Sequence, residues 1–166
     1  MNKSDVVVLI GPMGVGKTTV GKKLARSLKL PFVDTDAIVV EEHGEIAQIF
    51  ETHGEPYFRS LEENAVAKAL SAPAVVATGG GAVLSERTQQ LLASATVIYL
   101  STDGRHIKGR LRGSKRPLVK NGFEDWQRIY DQRKPLYSSV ADITVDTSGQ
   151  TLGNTVSEIK EKLGKA

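Results

Sequence analysis

Several features are absent from this 166-residue sequence, and each absence removes a class of protein. The sequence has no cysteine, which excludes a disulfide scaffold, thiolate metal ligands and a cysteine nucleophile. Aromatic residues make up only 5%, which argues against a base-stacking surface for single-stranded nucleic acid. No apolar run approaches the ~20 residues that a membrane-spanning helix needs. The net charge is only +3, so it does not by itself predict a nucleic-acid partner.

What remains is the composition of an ordinary globular protein. Apolar residues make up 40% and charged residues 25%, and 166 residues suit one domain with a real core. The apolar run Val6–Ile10 is too short for a signal-peptide core, and no small-residue cleavage site follows it. We therefore expect a cytoplasmic protein without a targeting segment.

Strand-like and helix-like segments alternate along the chain. Short apolar runs predict strands at residues 6–10, 32–33, 74–77, 97–100 and 143–145. Helical patterns follow residue 17, fill most of 37–71, and recur at 86–93, 123–137 and 156–163, with Pro135 expected to end the fourth. A basic loop is expected at 109–122. This alternation predicts an α/β domain with a parallel sheet and helices on both faces.

The segment Gly-Pro-Met-Gly-Val-Gly-Lys-Thr at residues 11–18, here called the phosphate loop, matches G-x-x-x-x-G-K-[ST] in full. It lies between a buried strand and an amphipathic helix, as the motif requires. Its glycines let the backbone curl so that N–H groups point at phosphate, and the helix N-terminus adds positive potential. Lys17 is placed to reach the β- and γ-phosphates, Thr18 to ligate Mg²⁺, and Thr19 to support the turn. The motif predicts a nucleoside triphosphate without specifying a reaction.

Two acids are candidates for the metal and for the substrate. Many proteins with this loop end another strand with an aspartate, but the strand at 74–77 is followed by Thr78 and three glycines. Asp34 and Asp36 instead follow the second strand, at the edge where parallel sheets bind ligands. One can face the metal and the other a substrate hydroxyl. The alternative is that they cap a helix.

Two further features have both a functional and a structural interpretation. Gly79, Gly80 and Gly81 allow a ligand to lie against bare backbone, or they form a plain flexible turn. Arg59 is the only Lys or Arg between residues 30 and 67, a window with nine acids. Its guanidinium can bind a substrate carboxylate with two hydrogen bonds, or it forms an ion pair within its helix with Glu55, Glu62 or Glu63.

Residues 105–120 are strongly basic and contain no acid. The cations are Arg105, Lys108, Arg110, Arg112, Lys115, Arg116 and Lys120. The stretch can be a lid over the nucleotide, a nucleic-acid patch or a solvated loop. The phosphate loop favours the lid, because triphosphate chemistry needs charge neutralised and water excluded.

Taken together and in order, these motifs resemble shikimate kinase, a small P-loop kinase of the nucleoside-monophosphate-kinase fold type. The resemblance covers nearly the whole chain. It rests on residues 11–18, 34–36, Phe58-Arg59 with Glu62, Gly79–Gly81, Arg116-Pro117-Leu118 and Arg133-Lys134-Pro135-Leu136-Tyr137. It implies a three-layer fold with a five-stranded parallel sheet in the order 2-3-1-4-5. It also implies a single domain over 1–166, with a shikimate-binding region at about 34–62 and a mobile lid at about 109–122.

The resemblance also implies roles for individual residues. The ATP phosphates would be bound by Gly11, Gly14, Val15, Gly16, Lys17, Thr18 and Thr19. Mg²⁺ would be held by Thr18 and, through water, by Asp34. Arg116 would move onto the phosphates, and Lys17, Asp36 and Arg116 are the implied catalytic residues. Arg110, or alternatively Arg112, would lie against the adenine. The loop 147–151 would flank the other side of the base, where the family tends to have arginine and this chain has Gln150.

On the acceptor side, the resemblance implies that Asp36 binds the ring hydroxyls of shikimate, including the one phosphorylated, and is the candidate base. Arg59 and Arg133 would bind the carboxylate, and the backbone of Gly80, with Gly79 and Gly81, would contact a hydroxyl. The implied reaction is ATP- and Mg²⁺-dependent phosphorylation of the shikimate 3-hydroxyl, in chorismate and aromatic amino acid biosynthesis. A cytoplasmic monomer with no nucleic-acid or membrane partner is expected.

Three alternative functions would use these residues differently, and a fourth is suggested by a short sequence match. A gluconate kinase is the nearest rival, since gluconate is also a hydroxy acid. A nucleic-acid-binding ATPase would use the basic stretch. A nucleoside monophosphate kinase is disfavoured because aromatics to hold a second base are scarce. Residues 146–149 match the D-x-x-G pattern of GTPases, but they follow the last strand and no Asn-Lys-x-Asp comes after them.

Overall fold

A computed structural model describes residues 5–111 and 118–164 of the chain. Within these residues, five strands form one sheet: β1 (Val6–Ile10), β2 (Phe32–Asp34), β3 (Ala74–Ala77), β4 (Thr96–Ser101) and β5 (Ile143–Asp146). All pairings are parallel and the order is β2-β3-β1-β4-β5. The predicted α/β class and the strand order implied by the resemblance are both confirmed.

Helices connect the strands in this order along the chain. The described residues form α1 (Lys17–Leu28), α2 (Thr35–His43), α3 (Ile46–His53), α4 (Glu55–Ala69), α5 (Glu86–Leu92), α6 (Ile107–Leu111), α7 (Phe123–Val140) and α8 (Leu152–Lys162). A short 3₁₀ turn, Ala82–Leu84, precedes α5. Within the described ranges, none of the helices combines the length and the apolar character needed to cross a membrane.

The central strand β1 is buried on both faces, as its unbroken apolar sequence predicts. Its alternate residues enter two separate cores, because successive side chains in a strand point to opposite faces. Val6, Val8 and Ile10 pack with residues of α4, α5 and α7. Val7 and Leu9 pack with residues of α1 and α8. The sheet therefore lies between two helical layers, which confirms the three-layer arrangement.

The phosphate loop leaves the carboxyl end of β1 through backbone that only glycine adopts readily. Gly11 has φ +147°, and a Cβ added there would lie 2.6 Å from the Leu100 carbonyl oxygen. Gly16, immediately before α1, has φ +105°. These values allow the chain to turn sharply between a buried strand and a helix. The loop thus lies at the ligand-binding edge of the sheet, beside the ends of β3 and β4.

Helix α7 continues through Pro135, so the prediction that it ends there is wrong. A proline inside a helix costs about 3 kcal/mol, because it removes one hydrogen bond and crowds the preceding turn. Tertiary contacts on both sides of it offset this cost. Trp126 is buried and its Nε1 donates to the Met13 carbonyl oxygen at 2.8 Å. Tyr137 is also buried and donates to the Gly80 carbonyl oxygen at 2.5 Å.

Two other boundaries differ from the prediction. Helix α8 begins at Leu152 rather than at 156, because Thr151 caps it by accepting a bond from the Asn154 N–H at 3.1 Å. Helix α6 occupies the first part of the expected basic loop. Arg112 and Arg116 lie outside the described residues, so the lid at about 109–122 stays a prediction.

The packing of α1 against β2 gives a test of the fold. Gly21 lies in α1, and a Cβ added there would lie 2.5 Å from Phe32 Cε1. Gly21→Ala is therefore expected to lower the free energy of unfolding by about 1–3 kcal/mol, the usual cost of overpacking. This loss outweighs the ~1 kcal/mol that alanine gains in helix propensity. Urea denaturation monitored by circular dichroism measures the change.

The matched control is Gly153→Ala in α8. The nearest atom to its added Cβ is the flexible end of Lys23, 3.6 Å away. This variant should be as stable as the parent or more stable. A Gly21→Ala protein at least as stable as the parent would contradict the packing described here.

Candidate active site

A polar cavity of about 670 Å³ opens at the carboxyl edge of the sheet. Its wall is built from residues 13–20, Asp34, Asp36, residues 77–80, Thr102, His106, Ile107, Arg110, residues 147–152 and Thr155. Elements that are distant in sequence therefore meet here. Six of the predicted phosphate-binding residues, 14–19, belong to this wall.

Lys17 lies at the start of α1 and is 9% exposed. Its Nζ donates to the carbonyl oxygens of Gly11 at 2.7 Å and Pro12 at 2.9 Å. Gly11 is not part of the cavity wall, but its carbonyl oxygen accepts from Lys17 and so fixes the position of the ammonium group. The ammonium group thus lies at the rim of the loop that the sequence predicts to bind phosphate.

Asp34 has both of the roles that the sequence left open. Its Oδ1 caps α2 by accepting from the N–H groups of Asp36 at 2.9 Å and Ala37 at 3.4 Å. Its Oδ2 accepts from the Thr18 hydroxyl at 3.3 Å. Capping therefore does not remove the carboxylate from the phosphate loop. A hydroxyl and a carboxylate at this spacing are hard oxygen donors of the kind that Mg²⁺ prefers together with phosphate oxygens, so the residues fit this ion.

Two carboxylates converge on the backbone of Gly79. A Cβ added to Gly79 would lie 2.9 Å from Asp36 Oδ1 and 2.7 Å from Glu62 Oε2. Any other residue would push these acids away, so the glycine is required by close approach rather than by a turn. The plain flexible turn that the sequence left open does not explain it.

Glu62 belongs to this cluster, whereas the sequence predicted for it only an ion pair with Arg59 within the helix. It is 1% exposed, and its Oε2 has no hydrogen-bond partner in the described residues. Burial raises the pKa of Glu62, the charge of Arg59 opposes that rise, and the charge of Asp36 adds to it. The available signal was the spacing of three residues from Arg59, which places both on one helix face.

Arg59 makes the helical ion pairs that were the structural alternative. Its Nη1 donates to Glu62 Oε1 at 2.9 Å, and its Nη2 donates to Glu55 Oε2 at 3.0 Å. The side chain is nevertheless only 15% exposed and lies against Gly81, where an added Cβ would be 2.6 Å from the guanidinium carbon. Burial disfavours its charge, but the two glutamates overcome this and raise the pKa of Arg59. Arg59 therefore stays charged beside Gly79, Gly80 and Gly81, here called the glycine triplet.

Arg133 approaches the same triplet from α7. It is 7% exposed, and its Nη1 lies 3.7 Å from the position of a Cβ added to Gly80. Arg59, Gly81 and Arg133 are not in the wall of the 670 Å³ cavity, but they adjoin it through Gly80. The structure thus brings the two predicted carboxylate-binding arginines to one backbone segment.

The predicted base-binding residues lie on the opposite side of the phosphate loop. Arg110 Nη1 donates to the Gly14 carbonyl oxygen at 2.6 Å. Gln150 belongs to the cavity wall, and its Nε2 donates to the Asp146 carbonyl oxygen at 2.8 Å and to Glu158 Oε1 at 2.9 Å. The predicted phosphate-binding Arg116 lies outside the described residues.

Comparison with known proteins gives a consistent result. The family model described as shikimate kinase matches residues 13–164. A shikimate kinase of Rhodococcus jostii (strain RHA1) is 43% identical over 163 residues, covering 95% of this chain and 97% of that protein. The structure of a shikimate kinase from Acinetobacter baumannii in complex with shikimate superposes with a TM-score of 0.87 at 33% identity. That superposition covers 98% of this chain and 95% of the other.

A structure from a rival class is also similar, but at the level of fold alone. A gluconokinase from Sinorhizobium meliloti has a TM-score of 0.68 at 18% identity, over 99% of this chain and 94% of its own. The two classes therefore share an architecture, and the fold alone does not distinguish their functions.

The buried carboxylate of Glu62 gives a pH-dependent prediction. Because its pKa is raised on folding, the folded protein binds this proton more tightly than the unfolded chain does. Its contribution to stability is present at low pH and is lost as the pH rises through the pKa of the folded state. Glu62→Gln should therefore become more stable relative to the parent between pH 5 and pH 8, as measured by thermal unfolding.

Glu55→Gln is the matched control, since it removes the other acidic partner of Arg59. Glu55 is 39% exposed, so this variant deletes an ion pair without deleting a buried carboxylate. It should show no gain relative to the parent as the pH rises. A stability difference for Glu62→Gln that stays constant or shrinks with pH would contradict the burial argument.

Proposed function

This chain belongs to the shikimate kinase family, ATP-dependent kinases that phosphorylate a hydroxyl group of shikimate, and we propose how its residues divide that work. In the family's reaction, the γ-phosphoryl group of ATP passes to the 3-hydroxyl, giving shikimate 3-phosphate and ADP. The observation that carries the proposal is the convergence of three groups at one sheet edge. These are the phosphate loop, the Asp36–Glu62 pair of acids, and the arginines on either side of residues 79–81.

The chemistry of the acceptor explains this combination. Shikimate is a cyclic acid with several hydroxyls, so it needs cations for its carboxylate and acceptors for its hydroxyl protons. Arg59 and Arg133 supply the cations, since a guanidinium can bind a carboxylate with two hydrogen bonds. Asp36 supplies the hydroxyl acceptor, and the backbone of Gly79, Gly80 and Gly81 contacts a further hydroxyl. Glu62 fixes the guanidinium of Arg59 through the hydrogen-bonded ion pair between them.

On the donor side, Gly11 and residues 14–19 bind the phosphates of ATP. The loop N–H groups and the N-terminus of α1 surround the β-phosphate, and Lys17 leaves the Gly11 and Pro12 carbonyls to contact the β- and γ-phosphates. Arg110 and the loop containing Gln150 lie on the two sides of the adenine. Arg116, in the lid at about 109–122, completes the charge around the transferring group.

Mg²⁺ would be held by the Thr18 hydroxyl and by Asp34, the latter through water. When bound, the ion neutralises phosphate charge during the transfer. The bond between the γ-phosphorus and ADP breaks, a new bond forms to the 3-hydroxyl oxygen, and the hydroxyl proton passes to Asp36. Positioning and electrostatics dominate such transfers, so alignment of the hydroxyl by Asp36 matters as much as its basicity.

We further propose that the protein acts as a monomer in the cytoplasm, in the pathway to chorismate, without a nucleic-acid or membrane partner. The small net charge of +3 supports the absence of nucleic acid.

The test is ADP release from ATP and Mg²⁺ with shikimate, gluconate or single-stranded DNA in parallel reactions. Release that depends on shikimate alone is expected. A response to gluconate would overturn the acceptor assignment, and a response to DNA that weakens steeply with salt would favour the nucleic-acid ATPase.

Asp36→Asn tests the assignment on the acceptor side. The variant keeps the shape of the side chain but loses the proton acceptor, so kcat should fall by about 10²–10⁴-fold. The KM for ATP should stay within about twofold of the parent, because Asp36 is not among the residues proposed to bind the phosphates. Asp131→Asn, an exposed acid on α7, is the matched control and should be unaffected. An Asp36→Asn enzyme with parental kcat would remove Asp36 from the reaction.

A further inference from the structure

Tyr137 lies at the junction of two parts of the acceptor site without being assigned to either. It is on α7, one helical turn after Arg133, and is 1% exposed. Its hydroxyl donates to the carbonyl oxygen of Gly80 at 2.5 Å. Its ring stacks on Tyr99, with the ring centroids 5.1 Å apart. Both the ring and the hydroxyl are therefore fixed.

Arg133 acts on the same hydroxyl. Burial raises the pKa of Tyr137 to about 12, while the charge of Arg133 and its hydrogen bond to the tyrosine partly oppose that rise. The hydroxyl keeps its proton at neutral pH and donates it to Gly80, so Arg133 can only donate to the oxygen. Tyr137 and Arg133 therefore meet at one backbone unit, since the hydroxyl bonds the Gly80 carbonyl and Arg133 Nη1 lies 3.7 Å from the position of a Cβ on Gly80.

The glycine triplet needs such a link. Three successive glycines have more backbone freedom than any other sequence, and their close contacts exclude side chains that would restrain them. A Cβ added to Gly80 would lie 3.2 Å from the Met13 nitrogen, so the phosphate loop already limits movement in that direction. The bond from Tyr137 fixes the Gly80 carbonyl and, because a peptide unit is planar, also the N–H of Gly81.

We propose that Tyr137 is a positioning residue for shikimate, holding the Gly80 backbone and the Arg133 guanidinium at a fixed spacing. This inference rests on the proposed function, which assigns the hydroxyl contact to Gly80 and the carboxylate contact to Arg133. A rigid spacing suits a cyclic acid, in which carboxylate and hydroxyls are themselves at fixed distances. Pre-organisation of this kind increases affinity without a direct contact to the ligand.

Tyr137→Phe removes only the hydroxyl and is the direct test. The KM for shikimate should rise about tenfold, the effect of one well-placed hydrogen bond. The KM for ATP should stay within about twofold. Tyr130→Phe is the matched control: Tyr130 is 2% exposed, and its hydroxyl bonds the Tyr99 hydroxyl at 2.6 Å in the same aromatic cluster. It should lose a similar amount of thermal stability and keep the parental KM for shikimate.

Two outcomes of this comparison would overturn the inference. One is a Tyr137→Phe enzyme with the parental KM for shikimate. The other is an equal rise in both KM values, or the same rise in Tyr130→Phe, since either would show a general loss of packing rather than positioning.

Shikimate binding by titration calorimetry separates this inference from the proposed function. If Arg133→Ala binds shikimate as tightly as the parent, the acceptor site itself is wrong. If Arg133→Ala binds weakly and Tyr137→Phe binds normally, only the role of Tyr137 is wrong. In the double variant, the Tyr137 substitution should have a smaller effect than it has alone, because its link to Arg133 is already gone. Full additivity would contradict that link.

Discussion

The close approach of charged side chains to a backbone without side chains is the constraint on which the candidate site depends. Residues 79–81 carry no Cβ, and the space that three side chains would occupy is filled by two carboxylates and two guanidinium groups. These four groups come from three helices. Asp36 lies at the start of α2, Arg59 and Glu62 lie on successive turns of α4, and Arg133 lies in the second half of α7. Replacing Gly79 or Gly81 would move a charge, and replacing Gly80 would crowd the Met13 nitrogen of the phosphate loop, so the triplet sets the dimensions of the site.

Burying several charges close together is unfavourable in free energy, and the structure limits this cost by pairing carboxylates with guanidinium groups. Removing a carboxylate from water is unfavourable unless a cation and hydrogen bonds compensate. Arg59 satisfies one oxygen of Glu62, but Oε2 has no hydrogen-bond partner within the described residues. The site is therefore less stable than an apolar packing of the same volume would be. Such a departure from ordinary packing is characteristic of residues retained for function rather than for stability.

The sequence was most informative where a function depends on a local pattern. The phosphate loop could be predicted because strand, glycines, lysine and helix are contiguous. Asp36 could be predicted because parallel strands end at a common edge. Arg59 forms ion pairs within its helix and also lies in the candidate site, although the sequence presented these two placements as alternatives. Strand order could not follow from alternation and came from the family resemblance.

Features that depend on long-range contacts were not predictable. Pro135 was expected to end α7, since local propensity disfavours it, but the buried rings of Trp126 and Tyr137 hold the helix on both sides of it. The role of Glu62 required knowing that Gly79, distant in sequence, approaches its free oxygen. Local propensity describes which secondary structure a segment favours by itself. Tertiary packing decides which structure forms where contacts elsewhere outweigh a local cost of about 3 kcal/mol.

The hydrogen bond between Trp126 and the phosphate loop has a practical consequence. Trp126 is the only tryptophan in the sequence, and its indole N–H donates to the carbonyl oxygen of Met13, a residue of that loop. Indole fluorescence depends on such hydrogen bonds and on nearby charge. All of the tryptophan emission of the protein therefore originates beside the phosphate loop. Nucleotide occupancy can be followed by intrinsic fluorescence, without any label and without a background from other tryptophans.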